Sequence, residues 1–565
     1  MWMDLADCLG SAYLALRRRR LARFVADTAR CREVQHRVLM TRMARHAASD
    51  FGRDHGLPQL RTVADFRRQM PLTNYETYAP YIERVKQGQT QALFAPGTRV
   101  LMFALTSGTT AEAKYIPITR EFLEDYRRGW NLWGVQAYTD HPGVRKKFNI
   151  ALTSDWRQFV TPGGIPCGNI SGLANDTASL FVRALGAVPS AVRSVPDPLA
   201  KQYAVLRTTI ACRRIGMAMT ANPSTLVGLA RLAHEMREPL IRDIHDGTLT
   251  GEVEIPSEIR RSLARHIGRP DPARARELEA IVARTGTLSP REIWPGLALL
   301  AVWTGGSAGA YLEQLRDYFG DVPVRDHGLS ASEGRMTIPL ASGSTAGVLD
   351  LWSQYFEFIP EEEHGRPQPT ILEAHELEPG QSYYIVLTTA SGFFRYDIHD
   401  VVRCVGRMGT TPVLEFLNKG AHFSSVTGEK LSEFQVVTAV RQSFASLGLR
   451  LPEFTLAPRW GEIPRYVLLS EPGEHQERGQ DLMRQLDTRL TALNREYADR
   501  RRTGRLLLPE MQTLRPGTWS AFRRARIARP GGSLEQYKHP CLVGDLTFVD
   551  QMAALEPADE FASRG

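Results

Sequence analysis

The stretch VLMFALTSGTTAEAKYIPI, residues 100–118, anchors the reading of this chain. Its first seven residues are apolar and β-prone, and residues 115–118 repeat that character. Between the two runs lies Thr106-Ser107-Gly108-Thr109-Thr110-Ala111-Glu112-Ala113-Lys114. Small hydroxyl residues and glycine let backbone amides and hydroxyls approach a polyphosphate, and Lys114 adds positive charge beside them. The GxxxxGK[ST] spacing of a Walker loop is absent. A Ser/Thr/Gly-rich connection between strands is, on its own, more often just a turn.

Outward from this stretch, apolar strands alternate with helical patterns. Residues 11–50 predict one or two amphipathic helices, with Leu14, Leu16, Leu21, Phe24, Val25, Val34, Val38, Leu39 and Met43 on the apolar stripe. Helices are predicted at 119–137, 198–216 and 223–246, and strands at 147–153, 216–219 and 297–304. The alternation predicts an α/β domain with a substantially parallel sheet. Residues 250–296, rich in Arg, Glu and Pro, predict a helical insertion with exposed faces. From about 347 to 418 the pattern changes to short strands, at 355–359, 383–388, 401–407 and 413–416, predicting a small antiparallel barrel or sheet. A helix at 431–446, strands at 452–457 and 464–470, a helix at 476–499 and a strand at 504–513 then form a compact α+β unit. The division expected is a large N-terminal α/β domain over 1–430, with a β-barrel-like subdomain at 347–420, and a smaller mobile domain over 431–565, hinged near 424–433.

The chain has 565 residues and a formal net charge of +8. Its 43% hydrophobic and 23% charged content excludes wholesale disorder. No apolar run reaches the roughly 18–20 residues of a membrane span. Asp4 and Asp7 precede the first apolar stretch and an Arg run follows it, the inverse of a secretory leader, so a cytoplasmic protein is expected. Six cysteines lie far apart with no CxxC pair, which fits neither a disulfide framework nor a zinc site. Residues 491–540 hold 11 Lys+Arg against four acids, leaving +1 for the rest of the chain. The basic window fits an anionic partner or a solvated face, and no nucleic-acid motif accompanies it. Only 8 lysines stand among 62 arginines. Four of them, Lys114, Lys419, Lys430 and Lys538, fall inside candidate motifs, where a compact ammonium differs from a planar guanidinium.

Further motifs carry chemistry. Gly328-Leu329-Ser330-Ala331-Ser332-Glu333-Gly334 follows another predicted strand; small residues allow packing against a flat ring, and Glu333 could hold Mg²⁺ on phosphates. A loop with a surface Glu is the plainer reading. Phe394-Arg395-Tyr396-Asp397-Ile398-His399-Asp400-Val401-Val402 is read as ending one strand and opening the next, with Asp397 and Asp400 competing to accept hydrogen bonds from vicinal ribose hydroxyls. Lys419 and Lys430, at the predicted hinge, could contact phosphate or ribose; ordinary loop and cap chemistry is the alternative. Lys538, in Gln536-Tyr537-Lys538-His539-Pro540, could swing into a cleft and neutralise charge on an α-phosphate. In isolation it reads as a surface lysine.

Each element is weak alone; their order is not. Ser107-Gly108-Thr109, Ala331-Ser332-Glu333-Gly334, Tyr396 to Asp400, Gly428-Glu429-Lys430 and Gln536-Tyr537-Lys538 together resemble the Gretchen Hagen family. These are the auxin-responsive acyl acid–amido synthetases, a branch of the adenylate-forming enzymes. The lead-in is similar too: Phe51 to Gly56, Phe66, Pro71-Leu72-Thr73-Asn74-Tyr75 and Tyr78-Ala79-Pro80. The resemblance spans about 20 to 545.

The resemblance implies ATP and Mg²⁺ as cofactors, a carboxylic acid substrate and an amine acceptor, typically an amino acid, with no nucleic acid or membrane and a monomeric chain. It implies an acyl-adenylate intermediate and release of AMP and pyrophosphate. A thiol acceptor, coenzyme A or a carrier protein, is the nearest alternative. Ser107, Gly108, Thr109 and Thr110 correspond to the phosphate loop, and Ser332 and Glu333 to the nucleotide loop, Glu333 also being the metal ligand. Asp400 corresponds to the ribose acid and Lys538 to the catalytic lysine; Lys419 and Lys430 are further nucleotide contacts. Trp156, Phe159, Gly164 and Asn169 are expected near the acyl pocket. Departures from the pattern are Ala111 and Ala113 for Gly and Pro, Leu329 for an aromatic, Asp397 and His399 for Arg and Gly, and Lys419 for Arg.

Overall fold

Residues 100–106 form a strand, Val100–Thr106, that pairs antiparallel with Lys114–Thr119 down to the rung Thr106↔Lys114. The computed structural model describes residues 2–106, 114–420, 423–427, 429, 431–528, 534 and 537–555. Ser107, Gly108, Thr109, Thr110 and Lys430 lie outside the described residues. The chain divides into two compact units, Met1–Trp303 with Leu315–Phe416, and Thr304–Gln314 with Leu417–Gly565.

The first unit contains three principal sheets. One runs in the order Lys114–Thr119, Val100–Thr106, Pro166–Gly168, Phe159–Val160. It is mixed: Phe103↔Cys167 and Ala104↔Gly168 pair in parallel, and the outer pairs are antiparallel. The second, Phe148–Ala151, Ile215–Met219, Leu299–Ala301, Val324–Arg325, is parallel throughout. Its strands read as continuous apolar runs because helices cover them; Ile215, Gly216, Met217 and Ala218 are all buried. The third is a seven-stranded antiparallel sheet ordered Thr337–Ile338, Ala346–Leu349, Thr411–Lys419, Tyr396–Met408, Ser382–Thr388, Tyr355–Pro360, Leu372–Glu373. Of the barrel and sheet expected there, the described strands form a sheet with two distinct end strands, and it begins at Thr337 rather than 347.

Helix positions follow the apolar periodicity, with corrections at the ends. The N-terminal pattern forms Trp2–Asp27 and Cys31–His46, joined by one 3₁₀ turn. Leu21, Phe24, Val34, Leu39 and Met43 are buried, whereas Val25 is exposed. The 223–246 pattern breaks at Met236 into Pro223–Glu235 and Arg237–Asp246. The 476–499 pattern breaks at Asn494, whose side chain caps a new helix by accepting from the Tyr497 amide. The 250–296 segment is helical, with Ser257–Ile267 and Pro272–Thr285 largely exposed.

The second unit carries a three-stranded sheet, Phe454–Arg459, Arg465–Ser470 and Glu510–Thr513. The last pair is parallel, as the intervening helices require. The strand expected at 504–513 is confined to its final four residues, since Gly504 takes a left-handed turn at φ +68° and Pro509 lacks an amide donor. Ala457, Val467 and Leu469 pack with Trp519, Phe522, Phe548 and Met552 in a core of its own. Among the described residues, no helix is long and apolar enough to cross a membrane.

Candidate functional site

In open sheets with parallel strands, ligand sites gather beyond the carboxyl ends of those strands. The wholly parallel sheet ends at Ala151, Met219, Ala301 and Arg325, so the segments bearing Ser154, Trp156, Trp303 and Ser332-Glu333 leave from one edge. Glu333 is not a surface residue. It sits with Ser332 at the two-residue turn of the hairpin Ser330–Ala331/Gly334–Arg335 and is only 7% exposed. Gly334 has φ +156°, which disfavours other residues, and an added Cβ would displace the Gln354 amide. That amide donates to the Arg335 carbonyl at 3.0 Å, so the strand below the turn is clamped. Leu329 is buried, with its amide on Thr337 Oγ1 at 2.9 Å.

Arg335 is buried beneath the turn. Its guanidinium lies 4.6 Å from the Trp130 ring centre and donates to the His327 carbonyl. Burial lowers its pKa to about 10, opposed by the neighbouring Asp350. Burial likewise pushes Asp350 up to about 6, opposed by a Ser353 hydrogen bond and Arg335. Glu333 acts electrostatically on two tyrosines, Tyr75 and Tyr396. Burial pushes both phenols up, and the Glu333 charge adds to it. The nucleotide-loop acid thus shares a neighbourhood with the start of the ribose motif and with the Pro71–Tyr75 lead-in.

The lead-in has a structural task. Thr73 pairs with Tyr396 as an isolated bridge, its amide donating to the Arg395 carbonyl at 2.9 Å and its carbonyl accepting from Asp397 at 2.9 Å. Tyr78 Oη accepts from the Phe394 amide at 2.7 Å and donates to the Phe394 carbonyl at 3.1 Å. Tyr75 Oη accepts from the Tyr115 amide at 2.8 Å, and Lys114 Nζ lies 5.5 Å from the Tyr75 ring centre. One short segment therefore braces both the ribose motif and the strand leaving the phosphate loop.

The ribose motif does not straddle two strands, as the sequence reading had it. Strand Ser382–Thr388 ends before it, and the motif lies at the start of the single strand Tyr396–Met408. Between the rungs Tyr384↔Val401 and Val386↔Asp397 the register shifts, so residues 398–400 are accommodated in a bulge. Bulges re-aim side chains beside functional sites. His399 takes φ +57° and Arg395 φ +48°, the latter held by a buried pair with Glu357 at 2.8 and 3.1 Å. The two acids have different surroundings. Asp397 Oδ2 is engaged by His364 Nε2 at 2.7 Å and faces His399 Nδ1 at 3.3 Å. Asp400, 2% exposed, is buried beyond the bulge.

The expected acyl-pocket residues do not form one patch. Trp156 Nε1 donates to Asp176 Oδ2 at 2.9 Å, and Asn169 caps helix Ile170–Asp176 while its amide donates to the Asp155 carbonyl at 3.0 Å. These two meet at the carboxyl end of Pro166–Gly168, beside the exit of Val100–Thr106. Phe159 pairs with Cys167 on the neighbouring strand but is 43% exposed, and Gly164 lies on an exposed turn at φ +76°.

In the second unit, Lys538 stands exposed between buried Tyr537 and His539. His539 Nε2 lies 3.0 Å from Thr455 Oγ1, whose hydroxyl donates to the Pro540 carbonyl at 2.7 Å, and Tyr537 Oη lies 3.1 Å from its other nitrogen. Burial lowers the His539 pKa to about 4, so the ring is neutral at pH 7. Cys541 donates its amide to Glu433 at 2.8 Å and its carbonyl accepts from Leu456 at 2.9 Å. The lysine thus rides on a segment stitched to the sheet edge. Lys419 ends strand Thr411–Lys419 and is exposed. Glu429 is fully buried; burial works against its charge, yet hydrogen bonds from Tyr466 and the Val426 and Thr427 amides hold it below the usual carboxylate range. Sequence reasoning did not assign roles to Tyr75, Tyr396, Arg335, Glu429 or His539. Tyr75, Tyr396, Glu429 and His539 stand inside quoted motifs, and nothing in the sequence signalled Arg335.

The GH3 family N-terminal domain matches residues 20–324, the central domain 347–419 and the C-terminal domain 434–547. A relative from Oryza sativa subsp. japonica, "Probable indole-3-acetic acid-amido synthetase GH3.4", is 27% identical over 95% of this chain and 90% of its own. "Indole-3-acetic acid-amido synthetase GH3.8" of Oryza sativa subsp. indica is 26% identical over 90% of this chain and 87% of its own. The solved structure "AtGH3.15 acyl acid amido synthetase in complex with 2,4-DB" shares the fold, with a TM-score of 0.83 at 18% identity over 95% of each chain. The chain belongs to the GH3 family.

Proposed function

We propose that this chain is an ATP-dependent acyl acid–amido synthetase, a ligase that adenylates a carboxylic acid and passes the acyl group to an amine, with release of pyrophosphate and AMP. The observation that carries the reading is the ordered match of all three GH3 domains, with relatives of nearly full length named amido synthetases. The chemistry is one of activation. A carboxylate is a poor electrophile, and joining it to AMP supplies a good leaving group.

The residues fit the two cofactors. Glu333 offers a buried carboxylate on a clamped turn, the hard oxygen donor that Mg²⁺ takes alongside substrate phosphates. Mg²⁺ bound there would neutralise phosphate charge. Asp400 is the ribose acceptor in this reading, because Asp397 is occupied by two imidazoles. Ser107, Gly108, Thr109 and Thr110 supply the phosphate cradle, with Lys419 and Lys430 as further nucleotide contacts. Trp156 and Asn169 flank the acyl site. Residues 431–565 move as the mobile domain and deliver Lys538.

A panel of carboxylic acids crossed with amino acids, read by product mass, tests the reaction. Amides and AMP are expected. Thioester product with coenzyme A and no amide with any amino acid would overturn the assignment of the acceptor. Asp400→Ala is expected to raise KM for ATP by about 10- to 100-fold, the range for losing hydrogen bonds to a charged group, and to leave KM for the acid nearly unchanged. Equal increases in both would remove Asp400 from the ribose.

A further inference from the structure

Three potential ligands converge on the face of the antiparallel sheet, and two of them, Asp397 and His399, stand at positions that depart from the family pattern. His364 follows strand Tyr355–Pro360, and Asp397 and His399 stand at the bulge of Tyr396–Met408. One donor atom from each lies within 4.8 Å of the others. The individual separations are 2.7 Å from His364 Nε2 to Asp397 Oδ2 and 3.3 Å from His399 Nδ1 to the same oxygen. Zinc bonds to imidazole nitrogen and carboxylate oxygen are about 2.0–2.2 Å, which puts neighbouring ligands of a tetrahedral site about 3.3 Å apart. The cluster needs only a small adjustment to reach that spacing.

Each ligand is already oriented. The His364 ring stacks on Tyr384 at 3.6 Å with an interplanar angle of 14°, which fixes the plane of the imidazole. The His399 amide donates to Asp397 Oδ1 at 2.7 Å, which pins the carboxylate and leaves Oδ2 toward the rings. His399 holds φ +57°, a conformation in which glycine is the easy residue. A lone Asp–His pair would not need this second imidazole, turned back onto the same oxygen from a disfavoured backbone. The side chains are 22%, 12% and 46% exposed, so solvent and an entering ion can reach them.

The geometry points to a surface site for a divalent transition metal, held by His364, Asp397 and His399 with the remaining positions filled by water. Two imidazoles and one carboxylate suit Zn²⁺, Co²⁺ or Ni²⁺; Mg²⁺ and Ca²⁺ prefer oxygen donors throughout. The site is therefore chemically distinct from Glu333, and its selectivity separates the two metals. It does not depend on the proposed reaction, since it rests on residues that no step of that reaction uses.

The test is a Co²⁺ titration of the untagged, metal-free full chain in millimolar Mg²⁺, followed by the visible d–d absorption of low-coordinate Co²⁺, with Zn²⁺ as competitor. One equivalent of Co²⁺ is expected, displaced by one equivalent of Zn²⁺ and untouched by Mg²⁺. His364→Ala and His399→Gly should each weaken binding at least about tenfold, on the scale of lost metal-site groups. His399→Gly also relieves the left-handed backbone, so an unchanged thermal midpoint with lost binding separates a ligand from a folding residue. Equal Co²⁺ affinity in the parent and both variants, an octahedral aqueous-type spectrum, or intense thiolate charge-transfer bands would each overturn the site.

Discussion

Replacing Lys538 with alanine is expected to lower acid-dependent ATP–pyrophosphate exchange by about 10²–10³, the cost of removing one positioned charge-stabilising donor. The structure makes the substitution clean. Lys538 is exposed, while Tyr537, His539 and Cys541 on either side are buried and carry the bonds that hold the segment. Truncating the exposed side chain leaves those anchors intact, and an unchanged thermal midpoint in the variant would separate the lost charge from a folding defect. Charge builds on the α-phosphate as pyrophosphate departs, and a compact ammonium on a flexible stem can follow it. Lys538→Arg should recover only part of the rate. Amide formation from a supplied acyl-adenylate should fall much less, because the charge handled by the lysine belongs to the first half-reaction. An unchanged exchange rate in Lys538→Ala would remove the residue from the mechanism.

The basic window around it has a narrower meaning in the folded chain. Arg501 pairs with Asp487, Arg502 with Asp499 and Arg523 with Glu453. Arg523 is 21% exposed and lies 5.6 Å from the Tyr537 ring centre, so it buttresses the lysine segment rather than presenting charge to a distant partner. Arg502 is 77% exposed and fits the solvated face expected of the window, whereas Arg501 and Arg523 are mostly covered.

The second large effect is structural. Arg395→Met is expected to cost about 3–5 kcal/mol in the opening free energy of strand Tyr396–Met408, read by hydrogen exchange of its amides. Arg395 is 4% exposed and Glu357 1%, and they meet through two hydrogen bonds. The same guanidinium donates to the carbonyls of Met70 at 2.6 Å and Arg67 at 3.0 Å. Removing it leaves the buried Glu357, among the described residues, with only Arg67 Nε at 3.4 Å and frees two carbonyls at once. Its backbone, at φ +48°, is tied to Thr73, so the lead-in loosens with it. Arg395→Met combined with Glu357→Leu should regain most of the loss, since an apolar pair leaves no unpaired charge. Unchanged protection in the single variant would show that the turn does not depend on the pair.

Particular residues show where sequence reasoning stops. The hydrophobic period placed Val100–Thr106 to the residue, because a buried strand declares itself locally. It ran Pro223–Glu235 and Arg237–Asp246 together, since apolar spacing continues across a break that only packing enforces. Glu333 read as an ordinary loop acid, because its burial and its nearness to Tyr75 and Tyr396 belong to the folded chain and not to the letters around it. Asp397 and Asp400 were equivalent as letters. A bulge and a histidine 33 residues upstream separated them.

The sequence by itself determined the class of fold, the order of the motifs and the membership of the chain in its family, because these depend on periodicity and on residues adjacent along the backbone. Only the tertiary structure decided which acid is spoken for, why the Pro71–Tyr75 segment accompanies the ribose motif, and that His364 joins Asp397 and His399. Each of those rests on contacts between residues distant in the chain, whose meeting is set by sheet register and burial rather than by spacing in the sequence.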